Sequence, residues 1–130
     1  KMSNNISVIL NMPQLGVNIG AAARVMKNFA LTDLRIVNPR DGWPNESAIT
    51  MAASAKDIIE NAKIYNSLLN SLENIDYLIA VTARSRDMKK DIIEIKNINK
   101  YLSENNTLAD KIIIQHQNIK LRIELNKIIN

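Results

Sequence analysis

Short apolar runs alternate along this chain with segments whose apolar residues recur every three or four positions. The runs have strand length and lie at Ile6–Leu10, Leu34–Val37, Tyr77–Val81 and Lys111–Ile114. The helical spacing predicts helices over Ile19–Ala30 with Asn18 as N-cap, from Ala48 to Ala62, over Ser67–Leu72 and over Asn97–Glu104. Apolar strands separated by helices predict one α/β domain: a Rossmann-like parallel sheet of about four or five strands with helices on both faces.

In such sheets, ligands bind beside the carboxyl ends of the strands. Three connecting segments are therefore candidates for a site: 11–18 after the first strand, 38–46 after the second and 82–90 after the third. We expect all three to be loops at one edge of the sheet.

The first of these segments leads into NIGAAAR, residues 18–24, in which small residues precede an arginine. On a helix, Gly20, Arg24, Lys27 and Asn28 fall along one face. Gly20 has no side chain, so the space in front of the Arg24 guanidinium is expected to stay open. Together with the positive potential of the helix N-terminus, this face predicts a site for a phosphate or another anion.

A structural interpretation of NIGAAAR stays open, and the residues taken alone favour it. The sequence GAAAR is good helix composition, and an arginine on an exposed helix face is usually solvated. A glycine in the first turn also permits close packing of the helix on the sheet. The chain has no G-x-G-x-x-G, so this turn is not a dinucleotide fingerprint.

The third segment, TARSRDMKK, carries four basic residues against one aspartate. Such a segment is suited to gripping a nucleic-acid backbone, although a short charged run is also typical of a solvated loop. In the second segment, Trp43 stands between Gly42 and Pro44, where it either stacks on a base or anchors its own loop.

Composition narrows the class of protein. The 130 residues carry a formal net charge of +4, which is compatible with an anionic partner such as nucleic acid. The absence of cysteine excludes disulfides and thiol catalysis, and one histidine cannot form a multi-histidine metal site. No apolar run is long enough to span a bilayer, so we expect a soluble cytoplasmic protein without membrane or metal.

The stretch SVILNMPQLGVNIGAAARVMKNFALTDLRIVNPR resembles the opening of the SPOUT-class RNA 2′-O-methyltransferases of the SpoU/TrmH superfamily, closest to the TrmJ-like tRNA methyltransferases. The likeness continues through WPNESAITMAASAKDIIENAKIY and IDYLIAVTARSRD, so it covers roughly residues 5 to 88. N-x-G-x-x-x-R directly after a strand is its most specific short motif. The resemblance favours the functional interpretation of Asn18, Gly20 and Arg24.

The resemblance implies methyl transfer from S-adenosylmethionine to a ribose 2′-hydroxyl of tRNA or rRNA, performed by a homodimer. In the family, the arginine that matches Arg24 is catalytic, and the asparagine that matches Asn18 shapes the same site. The segment that matches Val81, Thr82 and Ala83 lines the cofactor site in relatives. We expect RNA to be bound by a positive patch at the carboxyl edge of the sheet that includes Gly20, Lys27, Arg84, Arg86 and Lys89.

Beyond Lys111–Ile114 the sequence departs from the family. Relatives carry a glycine-rich cofactor motif there, approximately F-G-x-E-x-x-G-L, whereas this chain reads QHQNIKLRIELNKIIN and has no glycine after Gly42. The third family motif is also absent. We therefore expect a truncated domain with a divergent tail at 115–130, no C-terminal trefoil knot, weak or absent cofactor binding, and little or no activity of the chain alone.

Three origins of this tail stay open: a frameshift, a split gene whose second half is encoded separately, or a genuine helix that closes a shortened fold. The alternative function is a non-catalytic RNA-binding or dimerisation remnant of such an enzyme. Smaller departures are Ala30, Ser54 and Ala80, which stand where relatives usually have glycine.

Overall fold

A computed structural model of the chain describes residues 6–84, 87–104 and 111–116. Within these ranges the strands are β1 (Ile6–Asn11), β2 (Asp33–Val37), β3 (Lys63–Tyr65), β4 (Tyr77–Arg84), β5 (Asp87–Glu94) and β6 (Lys111–His116). The helices are α1 (Gly16–Asn28), α2 (Glu46–Ala52), α3 (Lys56–Glu60), α4 (Leu68–Ser71) and α5 (Ile98–Glu104). The strands form one six-stranded sheet in the order β3-β2-β1-β6-β4-β5.

The first three strands confirm the predicted parallel arrangement. β1 and β2 are parallel, with Ser7 beside Asp33 and Asn11 beside Val37, and β2 is parallel to β3. α1 connects β1 to β2, while α2 and α3 lie between β2 and β3. These connections bring the carboxyl ends of the three strands to one edge of the sheet, which we call the carboxyl edge.

The prediction of an all-parallel sheet is wrong for the other half of the molecule. β5 pairs antiparallel with β4, and β6 is antiparallel to both β1 and β4. β4 therefore runs in the direction of β1, while β5 and β6 run the opposite way. The physical reason is the β4–β5 hairpin: it reverses the chain, and the α5 connection then preserves the reversed direction into β6.

Helices cover both faces of the sheet, as predicted. α1, α2 and α3 lie on one face, where buried side chains form the larger core cluster, which includes Ile6, Val8, Leu10, Ile19, Ala23, Met26, Leu34, Ile36, Ala48, Ala52, Ile58 and Ile79. The opposite face has a smaller core cluster: Ile9, Val37, Leu72, Ile75, Leu78, Ile93 and Ile98. Alternating residues of β1 and β4 serve the two clusters, as expected of strands buried on both sides.

The helix predicted from Ala48 to Ala62 is interrupted. α2 ends at Ala52, a short 3-10 turn covers Ala53–Ala55, and α3 begins at Lys56. Ala53 has φ 52° and ψ −115°, a conformation that interrupts the helical path and that residues other than glycine rarely adopt. The helical spacing of the apolar residues continues across the break, so the sequence pattern did not reveal it.

A buried arginine ties β2 to the segment that leads into the second half. The Arg35 side chain is only 7% exposed and forms an ion pair with Asp33 at 3.1 Å. It also donates to the carbonyl oxygens of Ser71 and Glu73 at 2.7 and 2.9 Å, and Ser7 donates its hydroxyl to Asp33. A buried charge needs such partners, so Arg35 fixes the end of α4 against the sheet.

Candidate nucleic-acid interface

The start of α1 is held at the carboxyl edge by two backbone hydrogen bonds. The amide of Met12 donates to the carbonyl of Val37 at 2.7 Å, and the amide of Arg40 donates to the carbonyl of Pro13 at 3.0 Å. The segments after β1 and β2 therefore meet at one edge, as predicted for 11–18 and 38–46. Because α1 starts on this framework, the exposed residues of its first turn, Val17 and Asn18, lie beside the same edge.

α1 begins earlier than the pattern predicts, which corrects the role of Asn18. The helix starts at Gly16 and its N-cap is Leu15, which makes no side-chain capping hydrogen bond. Asn18 is the third helical residue and is exposed. It is six residues before Arg24, so the two side chains leave the helix about 120° apart. Asn18 therefore does not cap α1, and its predicted place in the site rests on its exposed side chain alone.

Gly20 does not leave open space in front of Arg24. It is buried against α2, and a Cβ added at this position would lie 2.5 Å from the carbonyl oxygen of Ala48 and 2.9 Å from the amide nitrogen of Ala52. Both are backbone atoms, so α2 would have to move away. The glycine is explained by close helix–helix packing against α2, and its place on the RNA-binding surface stays a prediction.

Arg24 is exposed on α1, next to the buried stripe of that helix. Among the described residues none forms a hydrogen bond or an ion pair with its guanidinium. Arg24 lies eight residues after Gly16, about 12 Å along the axis, so the positive potential of the helix start is weak there. The side chain is thus a solvated cation that can donate to a phosphate through a planar fork of N–H groups.

Lys27 follows one turn after Arg24 but is engaged. Its Nζ donates to both carboxylate oxygens of Asp57 on α3, at 3.1 and 3.3 Å. The hydrogen bond from Lys27 lowers the pKa of Asp57 below its usual value, so the carboxylate stays charged. The predicted cationic face of α1 is therefore divided into a cation without a described partner, Arg24, and a paired one, Lys27.

An apolar stripe runs along the exposed side of α1. Val17, Ala21, Val25 and Phe29 are spaced by four residues, and Val25 and Phe29 are 54% and 48% exposed. Residues four apart line one side of a helix, so these four side chains form a continuous strip. We call it the α1 stripe. Arg24 and Asn18 lie on its two sides, which places the candidate polar residues at the rim of an apolar surface.

The segment predicted as a loop at 82–90 is largely strand. β4 extends to Arg84 and β5 begins at Asp87, with Thr82 opposite Lys89 and Arg84 opposite Asp87. Arg86 lies outside the described residues. The prediction of a loop is wrong. A hairpin with few apolar residues lacks the alternation of apolar and polar positions that identifies a strand, so its sequence resembles that of a charged loop. The backbone register still brings Arg84 to the carboxyl edge, since β4 runs in the direction of β1.

The predicted cofactor residues lie on one of two strands that the family's cofactor site would need. Val81, Thr82 and Ala83 are close to the carboxyl end of β4. β6, however, ends at His116 beside Ile6 and Tyr77, at the edge opposite to Asn11. A cofactor-binding turn directly after β6 would therefore begin at the wrong edge of the sheet. Of the predicted cofactor-binding elements, the described residues place the end of β4 at the carboxyl edge and the end of β6 at the opposite edge.

Three further observations concern the described residues. No helix there is long and apolar enough to cross a membrane, and no three His, Cys, Asp or Glu residues are grouped so that they could hold a metal ion. Trp43 is half-buried and packs against the larger core cluster, which agrees with the anchoring interpretation.

Sequence analysis missed Arg35 and Asp57. Arg35 forms an ion pair with Asp33, and Asp57 forms one with Lys27. An arginine inside the apolar strand DLRIV is a signal, because a charge at such a position requires a partner. Asp57 carries no comparable signal: its pairing with Lys27 depends on the turn at Ala53–Ala55 that brings α3 beside α1.

Comparison with known proteins gives a consistent family. The model of the SpoU rRNA Methylase family matches residues 5–126, which includes most of the segment that we expected to be divergent. A tRNA (cytidine-2′-O-)-methyltransferase TrmJ from Methanocaldococcus jannaschii is 38% identical over 115 residues, covering 88% of this chain and 46% of the relative. A tRNA (cytidine/uridine-2′-O-)-methyltransferase TrmJ from Pectobacterium atrosepticum is 37% identical over 93 residues, covering 72% of this chain and 38% of the relative.

Solved structures agree over about half of the chain. The crystal structure of TrmJ from Z. mobilis ZM4 is 48% identical and has a TM-score of 0.51, with 52% of this chain and 30% of that chain covered. A putative methylase family protein from Neisseria gonorrhoeae is 29% identical with a TM-score of 0.52, covering 61% of this chain and 46% of that chain. The chain spans less than half of the length of any of these four proteins.

Proposed function

Because this chain belongs to the SpoU rRNA methylase family, we propose that it forms the RNA-facing part of an S-adenosylmethionine-dependent ribose 2′-O-methyltransferase. The names of the two TrmJ relatives support tRNA as the RNA. The observation that carries the proposal is Arg24: an exposed guanidinium without a described partner, on the helix that directly follows β1.

The role proposed for Arg24 follows from its chemistry. A guanidinium stays protonated at neutral pH, so Arg24 is better suited to orienting a substrate phosphate and stabilising a developing alkoxide than to acting as a free base. Asn18, on the other side of the α1 stripe, is proposed to contact the same substrate from a separate direction. Arg84 and Lys89 contribute charge from the β4–β5 hairpin, where phosphate contacts position RNA without reading its sequence.

We include a homodimer in the proposal, and the α1 stripe supports it. Val17, Val25 and Phe29 form an apolar strip that solvent contacts in the monomer, and burial of such a strip against a second copy is favourable. Polar residues at its sides match the usual anatomy of an interface, with an apolar centre and a charged rim. Arg24 then lies at the edge of the dimer interface, where both copies contribute to one RNA surface.

The cofactor would supply the methyl group at a site lined by Val81, Thr82 and Ala83, but β6 ends at the opposite edge of the sheet. We infer that the chain alone binds S-adenosylmethionine weakly. The direction of β6 also favours the second candidate function, a non-catalytic RNA-binding or dimerisation module. The two functions share the RNA surface and differ in whether a cofactor pocket is completed.

RNA titration of Arg24 variants tests the shared part of the proposal. An unmodified tRNA transcript is titrated at low and moderate salt with the wild type, Arg24→Ala and Arg24→Lys. We expect Arg24→Ala to weaken binding a few-fold and to reduce the salt slope by about one ion. Lysine should restore part of the affinity, because it keeps the charge but loses the bidentate fork. Stability should change by less than about 0.5 kcal/mol.

Two controls assign the effect. Lys63→Ala removes one exposed positive charge at the amino end of β3, away from the carboxyl edge, and should leave the affinity nearly unchanged. Val25→Asp places a charge on the α1 stripe and should shift light scattering toward the monomer, which separates loss of the dimer from loss of a phosphate contact. Indistinguishable curves for the wild type and Arg24→Ala would contradict the role of Arg24.

A further inference from the structure

The ion pair between α1 and α3 occupies the edge of the proposed RNA surface. Lys27 and Asp57 are exposed, with 47% and 56% of their side chains in solvent, and the two oxygens of Asp57 accept from one Nζ. Such exposed pairs contribute little to stability, because solvent screens them and two long side chains lose freedom. The stability of the α1–α3 packing therefore does not explain why a carboxylate faces this surface.

Neutralisation of Lys27 has a direct consequence for binding an anion. Affinity for a nucleic-acid backbone grows with the number of phosphates that cations neutralise, because each releases a counterion. A lysine whose charge is cancelled by an adjacent carboxylate releases few counterions when it meets a phosphate. Arg24, one turn earlier, has no such carboxylate among the described residues.

We infer that Asp57 sets the RNA affinity of this surface by holding Lys27 away from the phosphate backbone. The inference rests on the proposed function and extends it to a residue on another helix. Asp57 acts through Lys27 and touches no substrate itself. Weak, rapidly reversible phosphate contacts suit a surface that must release its RNA, and a built-in carboxylate limits how tightly α1 can hold it.

The test uses Asp57→Asn in the full chain, with Glu60→Gln as matched control. Glu60 is exposed on the same helix, one turn after Asp57, and no described residue pairs with it. Both substitutions raise the net charge by one, but only Asp57→Asn releases Lys27. An unmodified tRNA transcript is titrated with each variant at 50 and at 200 mM salt. Between these two concentrations, one added phosphate contact increases the loss of affinity by a factor of about three.

We expect Asp57→Asn to bind more tightly at low salt and to show this steeper fall, whereas Glu60→Gln keeps the wild-type salt slope. The double variant Lys27→Gln with Asp57→Asn should return to the wild-type slope. Equal slopes for Asp57→Asn and Glu60→Gln would overturn the inference, since net charge alone would then be at work. Weaker binding by Asp57→Asn would overturn it in the other direction, because Asp57 would be positioning Lys27 for RNA.

The outcome also distinguishes this inference from the proposed function. If Arg24→Ala weakens binding while Asp57→Asn behaves like Glu60→Gln, the RNA surface stands and the role of Asp57 falls. If neither the wild type nor any variant binds the transcript, both are overturned. Circular dichroism of each variant verifies the fold.

Discussion

From β1 to β4 each strand is followed by a helical connection and the next strand runs in the same direction, whereas β4 turns back directly into β5. The first half, from β1 to β3 with its helices, and the second half, from β4 to β6, therefore differ in how their strands are connected. In the first, every helix returns the chain to the same edge and the direction of each strand follows from its connection. In the second, one hairpin reverses the chain, and α5 carries the reversed direction into β6.

The difference bears on function as well as on architecture. The first half places the ends of β1, β2 and β3 together at the carboxyl edge with α1 beside them. In the second half β4 ends at that edge, but β6 ends at the opposite one. The RNA surface that we propose depends on the first half, while a cofactor pocket would depend on the direction of β6.

Cysteine cross-linking across β4 and β6 offers the largest effect, an all-or-none result. The chain has no cysteine, so an introduced pair is unambiguous. Tyr77 lies directly opposite His116, and directly opposed residues of antiparallel strands are about 4.5–5.5 Å apart between Cα atoms. We expect Tyr77→Cys with His116→Cys to form a disulfide under mild oxidation, read as a mobility shift on a non-reducing gel.

The control pair is Tyr77→Cys with Lys111→Cys. Lys111 is at the other end of β6, five residues and about 17 Å away, which is beyond the reach of a disulfide. A disulfide in this pair and none in the first would show that β6 is parallel to β4. Calorimetry with S-adenosylmethionine extends the test: a micromolar or tighter constant would contradict the weak binding that we infer.

The position of β6 could be predicted from the sequence, but its direction could not. The strand itself was predicted, because KIIIQH has three consecutive isoleucines bounded by polar residues. An apolar run has the same composition whichever way the strand runs, so it does not indicate whether the strand is parallel or antiparallel to its neighbours. That information lies in the preceding segment 82–90, whose charged residues predict a loop where the structure has the end of β4 and the start of β5. One missed hairpin therefore reversed the orientation predicted for the strand after it.

The packing around α1 is a second feature that could not be predicted from the sequence. The sequence identified α1 and the small residue at position 20, but it could not tell which neighbour comes close to that residue. Contact with α2 depends on where Asn45 caps α2: the side chain of Asn45 accepts from the amide of Ala48 and so begins that helix. Long-range packing of this kind has no local signature, and the space predicted to stay open at Gly20 is filled by α2.

Substitution of Gly20 by alanine tests how far the first half depends on this close contact. A Cβ there would meet the carbonyl oxygen of Ala48 at 2.5 Å and the Cβ of Met51 at 2.7 Å. We expect a loss of about 2 kcal/mol in the free energy of unfolding, because α2 must shift. This loss would come despite the better helix propensity of alanine, worth up to about 1 kcal/mol.

Denaturant unfolding measures this loss, and Ala21→Ser provides the comparison at the next, exposed position of α1. That change should stay within about 0.5 kcal/mol. If Gly20→Ala were neutral or stabilising, α1 and α2 would not be in close contact, and the open space predicted beside Arg24 would have to be reconsidered.

The smallest effect concerns the end of α1, where the chain turns toward β2. Ala30 has φ 58°, and two hydrogen bonds close the helix around it: the Ala30 amide donates to Lys27 and the Leu31 amide to Met26. This is a Schellman motif, in which the left-handed residue is usually glycine. We expect Ala30→Gly to raise the free energy of unfolding by about 0.5–1 kcal/mol, because relief of left-handed strain outweighs the greater entropy of glycine in the unfolded chain.

The matched control is Ala21→Gly, the same change at an exposed position inside α1, which should lower the free energy of unfolding by about 0.5–1 kcal/mol. Opposite signs for one chemical change on one helix would locate the strain at Ala30. If both substitutions destabilised equally, α1 would continue past Phe29, and the turn that brings β2 parallel to β1 would have to form in another way.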